Sequence, residues 1–321
     1  MVRFEGKKYQ AEAEESVLEC LERHGISVPN SCRSGICQGC LMRTVDGNPP
    51  SSAQKGLKSS LISQNYFMAC SCKASLDLEV ALPNSEGFIF DTQVVQKQQL
   101  SPEIVCVRLT RPENYDYFSG QYLTLYKEAG LGRSYSLASV PHMDDYLELH
   151  VRKVAGGTVS TWIHEELCEG DSLQISHAAG NCFYVDSDPD QPLLLIGTGC
   201  GLSPLVGVIR AALTQGHRGP IKLYHGSSNA AGLYLFERLR HLSEDYPQFT
   251  FVQSQSRNAP ENVRHGRATD LALADHPDLK GWRAFICGTT EVVKATRRAV
   301  FLAGTSMQDI YSDEFIVPKY C

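Results

Sequence analysis

The chain is 321 residues long, with 42% hydrophobic residues, 21% charged residues and a formal net charge of −6, a composition typical of soluble globular proteins with room for two or three domains. That mild acidity argues against a nucleic-acid partner, which would want a basic face, and no run approaches the roughly 18 apolar residues of a membrane span. Its twelve cysteines do not read as a secreted disulfide scaffold, because the start Met1-Val2-Arg3-Phe4-Glu5-Gly6-Lys7-Lys8 has no apolar signal core; reduced thiols and a cytoplasmic location are expected.

Residues 2–12 alternate polar and apolar around Glu5-Gly6-Lys7 and predict a β-hairpin. Glu15 to His24 places Val17, Leu18 and Leu21 on one face and ends at Gly25, predicting a short amphipathic helix. Four cysteines follow as C-x4-C-x2-C…C: Cys32, Cys37, Cys40 and, after 29 residues, Cys70. A [2Fe–2S] cluster needs four thiolates, and this is the plant-type ferredoxin spacing. Three of them on one short loop must wrap the cluster while backbone amides face its sulfurs, a demand that Gly35 and Gly39 can meet. Structural zinc takes its cysteines as two close pairs, which a three-plus-one grouping fits poorly. Cys72, two residues past Cys70, is the competing fourth ligand; Cys70 matches the ferredoxin spacing. Leu76-Asp77-Leu78-Glu79-Val80 alternates as a closing strand. Hairpin, helix, metal loop and closing strand together resemble the β-grasp ferredoxin.

Pro83-Asn84-Ser85-Glu86-Gly87 reads as a linker. Beyond it, Thr92–Gln98, Ile104–Thr110, Gln121–Tyr126, Arg133–Ala138 and Leu147–Lys153 are short strands separated by turns, interrupted by one helix over Val159–Leu167. This pattern predicts a small antiparallel β-barrel. Asp186-Ser187-Asp188-Pro189-Asp190 marks a second boundary. After it, strands at Leu193–Ile196, Ile221–Gly226, Phe249–Ser254 and Ala284–Gly288 alternate with helices reaching Arg210, over Leu233–His241 and over Glu291–Leu302. Alternation of this kind predicts a parallel sheet covered on both faces. The expected architecture is multidomain, α+β and α/β: an iron–sulfur domain over 1–86, a barrel over 88–187 and a nucleotide-binding domain over 188–321.

Three motifs carry the remaining chemistry. Arg133-Ser134-Tyr135-Ser136 lies on a predicted strand. Gly156-Gly157-Thr158-Val159-Ser160 offers a glycine turn and free N–H groups at a helix start, a natural pyrophosphate site. Ile196-Gly197-Thr198-Gly199-Cys200-Gly201 joins an apolar strand to its helix, where a dinucleotide can approach the backbone. In order, these motifs resemble the ferredoxin–NADP reductase superfamily, and with the N-terminal cysteines the chain resembles the branch of oxygenase reductases that carry a [2Fe–2S] domain.

The resemblance implies FAD held by Arg133 at the pyrophosphate, Tyr135 against the isoalloxazine and Ser136 near flavin N5. His150, Val151 and Arg152, with Gly157, Thr158, Val159 and Ser160, would complete that site. It implies an NADH or NADPH site at Thr198, Gly199, Cys200 and Gly201, with Cys287 near the nicotinamide and Phe315 covering the flavin. Family members often carry Gly-Pro after that cysteine, whereas this chain has Gly288-Thr289-Thr290. His225-Gly226-Ser227 brings no acidic group for a ribose hydroxyl, and Ser256-Arg257 would suit a 2′-phosphate, so the donor stays open.

A nicotinamide gives up two electrons at once and the cluster accepts one at a time; a flavin between them can do both. The implied route runs from NAD(P)H to FAD, with Ser136 and Cys287 flanking the reacting atoms, then to the cluster and on to a terminal oxygenase component, either Rieske or di-iron. A reductase serving a deoxysugar dehydratase and a redox-sensing module are the alternatives. Oligomeric state is not set by any feature of the sequence.

Overall fold

Glu5 and Gly6 both take left-handed backbone angles, φ 48° and 73°, the geometry of two-residue turns whose twist matches a hairpin. They join β1 (Val2–Phe4) to β2 (Lys7–Tyr9) in antiparallel register. The computed structural model describes residues 1–30, 33–35, 40–74, 76–82, 89–128, 131–261 and 263–315. Helix α1 (Val17–Arg23) starts where Ser16 caps it: the Ser16 hydroxyl accepts from the Glu19 N–H while the Glu19 carboxylate accepts from the Ser16 N–H. Then come β3 (Leu41–Asp46), α2 (Ser59–Ile62), β4 (Tyr66–Met68) and β5 (Leu78–Ala81). The sheet runs β2-β1-β5-β3-β4, with β5 parallel to β1. Val17, Leu18 and Leu21 of the helix share one core with Met42, Phe67 and Val80 of the strands.

Chain contacts divide the molecule into two units, Met1–Gly87 and Phe88–Cys321. In the second, β6 (Ile89–Ser101), β7 (Ile104–Thr110), β8 (Tyr122–Glu128), β9 (Leu131–Ser136), β10 (Tyr146–Arg152), α3 (Thr158–Glu165) and β11 (Ser172–Ser176) come first. The strands form a six-stranded sheet in the order β10-β7-β6-β11-β8-β9, every neighbour antiparallel. A bridge from Leu137 to Leu149 ties the end of β9 back to β10. Strand β11, not expected from the sequence, supplies the link between β6 and β8.

The same unit continues through β12 (Leu193–Thr198), α4 (Leu202–Thr214), β13 (Ile221–Ser227), α5 (Phe236–Asp245), β14 (Phe249–Gln255), β15 (Arg264–His265), α6 (Ala268–Asp275), β16 (Arg283–Thr289), α7 (Thr290–Leu302) and β17 (Ile310–Phe315). All neighbours are parallel, in the order β15-β14-β13-β12-β16-β17. Leu193 and Leu195 pack with α4 on one face, and Leu194 and Ile196 with Val293 and Val300 of α7 on the other, as the unbroken apolar run of β12 requires. Helix α5 begins at Phe236 rather than at Leu233, because Leu235 takes a left-handed φ of 60° that no right-handed helix can include. Strand order reverses between β12 and β16, and such a reversal opens a crevice at the carboxyl ends of the two strands.

Helix α4 is seated directly on the antiparallel part of this unit: a Cβ at Gly207 would lie 2.8 Å from the Leu137 carbonyl oxygen. Buried ion pairs fasten the same junction, Asp144 to Arg210 at 2.7 Å and Glu148 to Arg238 at 2.6 Å. Among the described residues, no helix is long and apolar enough to cross a membrane.

Candidate functional site

In the first unit, pairing of Leu41 with Met68 brings Cys40, just before β3, alongside Cys70, just after β4. Their sulfurs lie 3.2 Å apart. Cys32 and Cys37 lie outside the described residues. The segment around Gly35 passes so close to Ser71 that a Cβ there would sit 2.5 Å from the Ser71 hydroxyl, and Gly35 takes a φ of 73°; only glycine meets both conditions. Burial pushes the Cys40 thiol up to about 11, so metal binding here must displace a proton. Cys72 belongs instead to the core beneath α1, fully buried, its thiol pushed up by that burial to about 12.

In the second unit a cleft of about 380 Å³ opens where the antiparallel and parallel sheets meet, within the size range of small-ligand sites. One wall is Arg133, Ser134, Tyr135 and Ser136 of β9, with His150 and Arg152 of β10. The floor is the loop from Lys153 into α3, which Ser160 closes by accepting the Val154 N–H at 3.1 Å. Gly157 caps α3 without a side-chain hydrogen bond, so the first-turn N–H groups remain available to an anion. Thr198, Cys200, Ser203, Thr289 and Phe315 supply the opposite wall. Guanidinium groups, free helix N–H groups and two aromatic rings form a donor set that fits a flavin nucleotide.

Of the residues singled out in the sequence, Arg133, Tyr135, Ser136, His150, Arg152, Gly157, Thr158, Val159, Ser160, Thr198, Cys200 and Phe315 line this one cleft. Val151 faces the hydrophobic core instead. Gly199 and Gly201 shape the turn behind Cys200; a Cβ at Gly201 would fall 2.2 Å from the Cys287 carbonyl oxygen, so the turns after β12 and β16 meet backbone to backbone. Cys287 is buried at the end of β16, its sulfur 3.7 Å from that of Cys182, and burial holds its thiol well above the usual range. Ser256 and Arg257 follow β14 and are not among the residues that line the cleft.

Sequence reasoning passed over Ser134, Lys153, Val154, Ala155, Ser203 and Thr289, all of which line the cleft. It also passed over Asp313. Strand β17 sets Asp313 opposite Cys287, and its carboxylate accepts a 2.7 Å hydrogen bond from the Ser136 hydroxyl, 177 residues away. Ser203 in turn donates to the Ser136 carbonyl at 3.1 Å, so Ser136 is pinned across the junction through both its side chain and its backbone.

Burial raises Asp313 from its ordinary 3.8 to about 6, against the opposing hydrogen bond from Ser136. Between those two values the folded protein binds a proton that the unfolded chain has released, so this group's contribution to stability falls as pH rises from about 4 to about 6. Asp313→Asn, which keeps an acceptor for Ser136 but cannot ionise, is therefore expected to gain thermal stability relative to the parent at pH 7 and to lose most of that gain as the pH falls to about 4. Melting curves of the two holoproteins across this range check it; a pH-independent difference would mean that Asp313 does not titrate there.

Residues 2–75 match the 2Fe-2S iron-sulfur cluster binding domain family, 91–184 the oxidoreductase FAD-binding domain family and 195–298 the oxidoreductase NAD-binding domain family. The chain is 32% identical to the ferredoxin–NAD(P)(+) reductase component of the Pseudomonas putida naphthalene 1,2-dioxygenase system, over 94% of this chain and 93% of that protein. It is 30% identical to the reductase subunit of an aromatic O-demethylase from Amycolatopsis, over 97% and 96% respectively. The crystal structure of the Amycolatopsis cytochrome P450 reductase GcoB superposes with a TM-score of 0.70 at 30% identity, covering 98% of both chains. With these domains in this order and relatives alike from end to end, the chain belongs to the family of oxygenase reductase components, NAD(P)H-dependent oxidoreductases that join a [2Fe–2S] ferredoxin domain to a ferredoxin–NADP reductase-like FAD and NAD(P) module.

Proposed function

We propose that this protein draws electrons from NAD(P)H and delivers them through FAD and the [2Fe–2S] centre to a terminal oxygenase component, Rieske or di-iron, in the cytoplasm. The observation that carries the reading is the single cleft in which the Arg133–Ser136 strand, the uncapped start of α3 and the turns after β12 and β16 converge. The domains assigned to the three steps are 1–86, 88–187 and 188–321. A β-grasp form for the first is supported by α1 packed on its mixed sheet. A barrel form for the second is supported by the Leu137–Leu149 bridge between the edge strands.

FAD, when bound, accepts a hydride and passes electrons on singly. Arg133 and the N–H groups of Thr158, Val159 and Ser160 would neutralise its pyrophosphate. Tyr135 and Phe315 would enclose its ring. The hydroxyl of Ser136 is oriented by Asp313 toward the carboxylate, which leaves its oxygen lone pairs for the cleft. The Thr198–Gly201 turn would bind the dinucleotide, and Cys287 would back the nicotinamide position. Ser256 and Arg257 would contact a 2′-phosphate if NADPH is the donor. Cys32, Cys37, Cys40 and Cys70 would ligate the iron, and their loop would face the oxygenase.

Anaerobic titration of the purified protein with NADH and with NADPH tests the whole reading: flavin and iron–sulfur bands should bleach with one of them. A flavin-free protein, or bands indifferent to both, would sink it in favour of a sensor. Within the cleft, Arg133→Ala is expected to lower flavin content at least about tenfold through loss of a charge-assisted contact. Quantifying flavin released on denaturation checks this, and unchanged stoichiometry would remove Arg133 from the site.

A further inference from the structure

A buried polar cluster lies behind the cleft, and most of its members have no role in the function described above. Glu148 on β10 is fully buried. It accepts hydrogen bonds from Arg108 at 3.0 Å, from Arg238 at 2.6 Å and from His150 at 3.2 Å. Cys106, Glu148 and His150 bring their ligand atoms within 4.8 Å of one another. Two guanidinium groups already neutralise the carboxylate, so the cluster is an ion-pair network and not a cation site.

Its hydrogen-bond directions follow from its acceptor-only members. Burial would raise the Glu148 carboxyl, but the His150 hydrogen bond and Arg238 hold it well below the carboxylate range. Its carboxylate therefore only accepts, and His150 Nε2–H must donate to it. Burial keeps His150 neutral, so its Nδ1 is an acceptor, and the partner at 3.1 Å is the Tyr234 hydroxyl. A second histidine repeats the logic. His225 Nε2–H donates to the Gly199 carbonyl at 3.0 Å, burial lowers this imidazole to about 4, and its Nδ1 accepts from Gln253 Nε2 at 3.3 Å. The same Gln253 amide donates its other hydrogen to the Tyr234 carbonyl at 2.9 Å. The Tyr234 ring stands edge-on to both imidazoles, with centroids 5.4 Å from His150 and 5.6 Å from His225. The next residue, Leu235, is held in the left-handed conformation that leucine avoids.

A continuous chain thus runs from His150 through Tyr234, Gln253 and His225 to Gly199. Its first member lines the cleft, and its last shares a peptide group with Cys200, which lines the opposite wall. Because that peptide is planar, fixing the Gly199 carbonyl also fixes the direction of the Cys200 N–H. We propose that Tyr234 is a positioning residue for hydride transfer, holding the dinucleotide turn in register with the flavin wall. The proposal rests on the flavin and nucleotide assignments above.

The test measures flavin reduction in the holoprotein under anaerobic stopped flow, with excess NADH and, separately, excess NADPH. A misplacement of reacting groups by about 1 Å can cost about a hundredfold in rate. Tyr234→Phe, which removes only the hydroxyl, is expected to lower the limiting rate at least about tenfold, with flavin content unchanged and nucleotide affinity altered less than about threefold. A limiting rate equal to that of the parent overturns the proposal, as does a loss confined to nucleotide affinity. If Tyr234→Phe does not fold with its flavin, His225→Ala and His225→Gln decide. A rate lost in the alanine variant and restored by glutamine, whose amide can donate to Gly199, supports the relay. No loss with alanine, or equal loss with both, overturns it. Failure of the underlying assignments looks different: the parent protein itself would then lack flavin or would not bleach, and the proposal would fall with them.

Discussion

Cys70→Ser is expected to remove the iron–sulfur absorption and to bring cytochrome c reduction down at least about a hundredfold, while ferricyanide reduction changes less than about twofold. The two acceptors separate the two halves of the electron path. Ferricyanide can be reduced from the flavin, whereas cytochrome c needs the one-electron centre. Cys72→Ser is the control that gives the experiment its meaning. Cys70 is half-buried beside Cys40, whereas Cys72 is fully buried among the apolar side chains under α1. A serine at 72 buries a hydroxyl where a weakly polar thiol stood, costing about 1–3 kcal/mol of stability, but it should leave the cluster intact. Loss of the cluster from Cys72→Ser with retention in Cys70→Ser would reverse the ligand assignment. Equal loss of both acceptor activities in Cys70→Ser, with FAD still bound, would contradict a route that passes through flavin first.

What could be read from the sequence was whatever chemistry is local. The first hairpin was legible because Glu5-Gly6 is itself the turn, and the edges of β7 coincide with its apolar alternation, Ile104 to Thr110. The cleft was legible because most of its residues come from three contiguous motifs, each shaped by its own glycine or strand. The shift of α5 was hidden, since Leu233-Tyr234-Leu235 is as apolar as a helix needs and only tertiary contact turns Leu235 left-handed. Strand β4 is only three residues long, and its pairing with β3 rather than its composition defines it. Asp313 was invisible for the same reason. Its meaning comes from a strand that pairs with β16 and a serine on another sheet. Glu148 sits in an ordinary alternating strand, and its partners on β7 and α5 share no spacing with it that a sequence could reveal.

Glu148→Ala is expected to cost a large share of the stability of this fold. The substitution strands three donors at once: Arg108, Arg238 and the imidazole of His150. Breaking a buried ion pair from one side costs about 3–5 kcal/mol, because the surviving charge is left desolvated without its partner. Arg108 and Arg238 keep 29% and 33% of their side-chain surface exposed, so part of that cost is recovered by hydration, and the lower half of the range applies. For a unit of this size the melting temperature should fall by roughly 10 °C. Glu148→Gln keeps the shape and an acceptor for one donor and should fall about half as far. Because the network is buried, the deficit should persist in 1 M salt, where an exposed pair such as Lys73 with Glu14 would already be screened. Calorimetry of the holoproteins at low and high salt measures both points. A loss of less than about 1 kcal/mol, or one that vanishes with salt, would mean that the guanidinium groups reach water freely and that the Glu148 network does not fasten the junction between the two sheets.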